Sequence, residues 1–98
     1  MPRPIQSPVH RAVARLAHIK FLKARFDHAK VELHHARAAV AEYKAAWKAA
    51  LVADLPPPPN RDAVHDRLLQ AQIRYDARHY AYSTAWEYAV KRLVEFGL

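Results

Sequence analysis

The 98-residue chain contains no cysteine and one glycine, Gly97. The first absence excludes disulfides, thiolate metal sites and cysteine nucleophiles. The second excludes glycine loops that cradle phosphate, because those need several backbone positions without a Cβ. No apolar run approaches the roughly 18–20 residues of a membrane span, and no signal-peptide core is present, so the expected location is cytoplasmic. The length admits one domain at most, too short for a nucleotide-binding domain with a separate substrate domain.

What is abundant is alanine, about a fifth of the chain. Alanine loses no side-chain entropy in a helix, so this composition favours helix throughout. The prolines are confined to Pro2, Pro4 and Pro8 and to the run Pro56 to Pro59. The expected order is an extended tail over 1–7, a helix over 8–54, a proline turn over 55–59 and a second helix over 60–98. Residues 8–98 form a single domain. Ser7 and Asn60 are suitable N-caps, Pro8 suits the first helical position, and Gly97 suits a C-terminal cap. Asp62 and Asp66 place negative charge near the positive end of the second helix dipole.

Apolar positions recur at alternating spacings of three and four. In the first helix these are Ile19, Leu22, Phe26, Ala29, Leu33, Ala36, Val40, Tyr43, Trp47 and Ala50. In the second they are Leu68, Gln72, Tyr75, His79, Tyr82, Trp86, Ala89, Leu93 and Phe96. Such a heptad seam predicts long helices packed at a shallow angle. Four prolines in polyproline geometry span about 12 Å, close to the separation of packed helices. The predicted fold is all-α: two long antiparallel helices forming a helical hairpin with a coiled-coil-like seam, joined by a tetraproline turn. Phe21, Val31, Leu69, Ile73, Tyr80, Val90 and Val94 lie off the seam, and two helices alone cannot bury them. The expected remedy is dimerisation into a four-helix bundle, or a higher homo-oligomer.

Several constellations bear on chemistry. Folding about Pro57 sets residues whose numbers sum to about 114 level with one another, within one helix separation. His35 then lies level with His79, with Glu32 a turn away, a carboxylate–histidine set of the kind that holds metals in helical bundles. His79 is on the seam and Glu32 and His35 on the outer flank, so the three could share a metal only across an oligomer interface. With seven histidines and nine carboxylates, chance spacings of this kind are expected, and solvated or core histidines are the preferred reading, so no cofactor is expected. Arg74 and His79 match the Arg-x4-His spacing of some helical ribonucleases, in which arginine stabilises phosphorane charge and histidine moves a proton. Ten arginines and seven histidines supply such spacings by chance, so the sequence reads as non-enzymatic, with no small-molecule substrate.

Charge is unevenly placed. Residues 1–30 carry Arg3, Arg11, Arg15, Lys20, Lys23, Arg25 and Lys30 against Asp27 alone, whereas the rest of the chain is nearly neutral. The expectation is a basic N-terminal arm, its first fifteen or so residues projecting past the shorter second helix. Its candidate contacts with an anionic partner are Arg3, Arg11, Arg15, Lys20, Lys23 and Lys30. Further on, Lys20, Lys23, Lys30, His34, Arg37, Lys44 and Lys48 form a stripe interrupted by Asp27 and Ala41. No base-reading motif accompanies these cations.

Two functions follow. The first is a non-enzymatic hairpin that self-associates and docks on a larger macromolecule, most readily a protein, as an assembly component, adaptor or inhibitor. Its expected interface residues are Tyr80, Tyr88, Val90, Val94, Phe21 and Val31. The second is sequence-nonspecific nucleic-acid binding through the basic arm. Membrane contact ranks behind both.

Overall fold

The computed structural model describes residues 8–95 and contains two helices, α1 (Pro8–Val52) and α2 (Arg61–Glu95). They pack side by side into an all-α hairpin whose Cα trace measures 77 × 31 × 14 Å. The smallest dimension is that of a single layer, so each helix has a neighbour on one side only. Ser7, Phe96 and Gly97, expected as cap, seam residue and cap, lie outside the described residues, as does Arg3.

Contacts across the hairpin run antiparallel: Tyr43 meets His65, Arg37 meets Gln72, Glu32 meets Arg74, and Phe26 meets Tyr75, His79 and Tyr82. These pairings place the fold axis near Ala53, about one helical turn earlier than an axis at Pro57. The cause is the end of α1. Leu55 N–H donates to the Ala50 carbonyl at 2.8 Å and Asp54 N–H to the Leu51 carbonyl at 3.3 Å, with Asp54 at φ 54°. This is a Schellman cap, with aspartate where glycine is usual. The chain reverses there, and the prolines run back beside α1 instead of bridging its end. Tyr43 Oη donates to the Pro58 carbonyl at 3.1 Å, nine residues inside the helix end.

A second residue with positive φ, Asn60 at 72°, starts α2, and its carbonyl accepts the first helical bond from Val64 N–H at 3.0 Å. Asp54→Gly should remove the cost of a Cβ in the left-handed region. It is expected to stabilise the hairpin by about 1 kcal/mol, read as a raised urea midpoint at unchanged slope. An unchanged or lowered midpoint would show that the aspartate side chain compensates for its own strain.

The α1 seam is as the heptad pattern requires. Ile19, Phe26, Ala29, Leu33, Ala36 and Val40 are buried, and Leu22, Tyr43 and Ala50 are half-buried. Trp47 is the exception, 44% exposed near the end of α1. On α2 the seam is rotated. The inward row is Val64, Leu68, Ala71, Tyr75, Arg78, Tyr82, Ala85, Ala89 and Arg92, again alternating three and four. Leu68, Tyr75, Tyr82 and Ala89 were expected there. Gln72 stays half-buried beside Ala71, whereas His79, Trp86 and Leu93 are exposed and yield their places to the residues immediately before them.

The most deeply buried contact explains the rotation. Ala36 and Ala71, 0% and 2% exposed, form the core with Leu33, flanked by Leu68 and Tyr75. Alanines let the two backbones approach closely, and a helix drawn in on Ala71 and Ala85 turns its bulkier neighbours outward. Arg78 and Arg92 fit the inner row because their aliphatic stems can lie along apolar surface, and Arg92 Nη1 donates to Glu95 at 3.3 Å.

Candidate interaction surfaces

The hairpin has two open flanks, and the heptad position of each side chain assigns it to one of them. On one flank Glu32 accepts from Arg74 Nε at 2.9 Å and pairs with His28 at 2.8 Å. These groups are solvent-facing, so the network contributes at most about 1 kcal/mol, and it mainly holds register. The same flank carries Phe21 and Tyr88. Toward the open end it forms a groove of about 710 Å³ floored by Ala14, Ile19, Leu22, Ala81 and Ala85 and edged by Tyr80 and Tyr88.

The opposite flank holds most of the charge. Lys23, Lys30, Arg37 and Lys44 repeat at every seventh residue beside the α1 seam, with Lys20, His34 and Lys48 alongside. All seven are exposed. Asp27 sits among them, 3.6 Å from both Lys23 and Lys30. Lys30 Nζ also lies over the Phe26 ring, 4.3 Å from its centroid. Toward the open end the cations give way to Val9, Val13 and Leu16 on α1. The α2 residues Trp86, Val90, Leu93 and Val94 come level with them, and all seven are between 42% and 69% exposed.

The six residues expected at a protein interface, Phe21, Val31, Tyr80, Tyr88, Val90 and Val94, are all exposed, with Tyr80 the most so at 74%. They do not form one patch. Val90 and Val94 belong to the open-end cluster, Tyr80 and Tyr88 edge the groove, Phe21 stands on the groove's flank, and Val31 is alone on the back of α1. Leu16, Trp86 and Leu93 are additional surface residues. The heptad pattern places Trp86 and Leu93 in the seam, and the rotation of α2 exposes them.

Over the described residues the arm projects less than the sequence predicts. Arg15 lines the groove together with Tyr88 and Ala89, and the resulting two-turn shift in register brings Glu95 level with Arg11. Arg11 and Arg15 are therefore flanked by α2, while Lys20, Lys23 and Lys30 belong to a ridge that continues to Lys48.

Neither the catalytic pair nor the metal-holding trio is assembled. Arg74 and His79 lie about 140° apart around α2. Arg74 is engaged by Glu32, whereas His79 stacks against Tyr75 and Phe26, with ring centroids 6.2 and 5.3 Å away, and meets Ser83 Oγ at 3.4 Å. The register shift also separates the metal trio. His79 lies opposite Phe26, two helical turns from His35, which instead neighbours His34. Among the described residues no three histidine or carboxylate side chains converge as metal ligands. No helix among them is long and apolar enough to cross a membrane.

Fold and surface together define the class as an antiparallel two-helix hairpin one layer thick, with an apolar open end and a basic ridge. No family model, curated protein or solved structure matches the chain.

Proposed function

We propose that the protein is a non-enzymatic cytoplasmic hairpin that self-associates through its open end and docks on a larger macromolecular partner as an assembly component, adaptor or inhibitor. The observation that carries this reading is the imbalance of burial. Seven described residues are buried, four of them larger than alanine, whereas seventeen large hydrophobic side chains are exposed. Each large side chain left in water forgoes about 1.5–3 kcal/mol, and a single layer has nothing with which to cover them.

The open-end cluster of Val9, Val13, Leu16, Trp86, Val90, Leu93 and Val94 is the contact between copies. It leaves on the order of 700 Å² of apolar surface on each copy, so a symmetric pair would bury about 1,400 Å², within the range of stable protein interfaces. Pairing at the open ends builds a local four-helix bundle there and directs the two basic ridges away from each other. That geometry avoids like-charge repulsion. The groove between Tyr80 and Tyr88 lies on the opposite flank and stays open for the larger partner, with two tyrosines whose rings and hydroxyls suit a protein contact.

The test is the molar mass in solution. Light scattering behind a sizing column at micromolar concentration is expected to give twice the chain mass of 11.2 kDa or a higher multiple. A folded monomer at that concentration would contradict the proposal.

A further inference from the structure

We infer that the basic ridge of α1 is a binding surface for the phosphate backbone of duplex nucleic acid, independent of how the open ends pair. Lys23, Lys30, Arg37 and Lys44 repeat at about 10.5 Å along one straight flank, and the row from Lys20 to Lys48 spans about 42 Å. That length matches about twelve base pairs of duplex. The row is nearly of one sign. Glu32 and Glu42, the other acids of α1, fall on the opposite flank, and Glu32 is occupied by Arg74 and His28. Across the seam the ridge faces Gln72, which accepts from Arg37 Nη2 at 3.4 Å and donates to Asp76 at 3.0 Å.

Two features select a phosphate backbone over a lipid surface. A helix lying in a membrane interface inserts an apolar face just below its cations. Here the apolar face of α1 beneath Lys23 to Lys44 is already covered by α2, and no large hydrophobic side chain of α1 is exposed on that flank between Lys20 and Lys44. The ridge is also rigid, held by a helix packed on a partner helix, so its cations are spaced before binding. No base-reading motif accompanies it. Binding is therefore indifferent to sequence and set by charge.

The probe is a labelled 20-base-pair DNA duplex of mixed sequence, followed by fluorescence anisotropy. Affinity is expected to fall roughly 200-fold between 50 and 200 mM salt, as for about four or five neutralised phosphates. Replacing Lys23, Lys30, Arg37 and Lys44 together by glutamine should weaken binding at least about 30-fold and flatten the salt dependence. A control with the same net charge, in which Arg25 and Arg67 become glutamine and Lys91 becomes glutamate, should stay within about threefold of the parent. All seven residues are exposed, and because Lys30 also lies over the Phe26 ring, helicity and thermal midpoint by circular dichroism are compared between the two variants. Asp27→Asn frees two lysines and should tighten binding about threefold. Equal losses in ridge and control variants would overturn the proposal, as would no binding at 50 mM salt. So would ridge-dependent binding to vesicles of 30% phosphatidylserine in phosphatidylcholine without binding to the duplex. Because the readout is duplex binding by variants with an intact open end, it is separable from the state of association.

Discussion

Phe26→Ala is expected to unfold much of the hairpin. The ring is 7% exposed and is the hub of the aromatic cluster, with centroids 5.3 Å from Tyr75, 5.3 Å from His79 and 5.8 Å from Tyr82. Lys30 closes its other side. Deleting it removes the burial of one aromatic and strands three others beside a gap that two rigid helices cannot close. The expected cost is about 3–5 kcal/mol, a large share of the stability of a domain of this size. The thermal midpoint followed by ellipticity at 222 nm should fall by roughly 15–30 °C at fixed protein concentration. Phe26→Leu retains most of the volume and should cost less than half as much. A shift of only a few degrees for the alanine variant would mean that the hairpin is held together elsewhere, with the open end the first place to look.

The second large effect concerns association. Replacing Trp86 and Leu93 together by glutamate places two charges per copy in the proposed contact, where a buried carboxylate has no partner. The dimer dissociation constant is expected to rise at least 100-fold, with light scattering reporting the single-chain mass throughout the micromolar range. The isolated hairpin should be unharmed, because these side chains are 42% and 49% exposed and take no part in the core around Ala36 and Ala71. A variant that stays dimeric and folded would move the contact to the Tyr80–Tyr88 flank. These two substitutions are informative for a further reason: on the heptad pattern alone, Trp86 and Leu93 belong to the seam, and changing them would be expected to destroy the fold. The structure reverses that expectation, so helicity after substitution distinguishes the two seams directly.

Much of the architecture is legible in the residues. The proline placement and scarcity of glycine delimit two helices, and the three-four spacing from Ile19 to Val40 names the buried side of α1. That side is legible because its alternatives are charged: Lys23, Lys30, Arg37 and Lys44 stand immediately to one side. On α2 the pattern is degenerate. Two adjacent rows both alternate three and four, one through Gln72, His79, Trp86 and Leu93 and the other through Ala71, Arg78, Ala85 and Arg92. Hydrophobicity favours the first, and the structure takes the second. No count of apolar residues along a single helix contains the reason, which is how closely two backbones can approach.

The surface followed the same division. That the N-terminal half of α1 is basic is a property of composition. Whether those cations form a free arm or a ridge flanked by a second helix depends on register, and register was decided at Asp54. A left-handed residue at that point closes a Schellman cap, reverses the chain one turn early and lays the prolines back along α1. The shift draws Arg15 in beside Tyr88, separates His79 from His35, and leaves Arg74 to pair with Glu32.

The sequence by itself determined that the protein is two long helices, which side of α1 is apolar, and that cysteine and glycine-loop chemistry are absent. It could do so because helix propensity and heptad spacing are local properties, readable one helix at a time. Only the tertiary structure decided which row of α2 turns inward, which residues stand opposite which, and which hydrophobic side chains are left without a partner. Those outcomes depend on the closeness of approach at Ala36 and Ala71 and on one backbone angle at Asp54, and both are properties of the pair of helices.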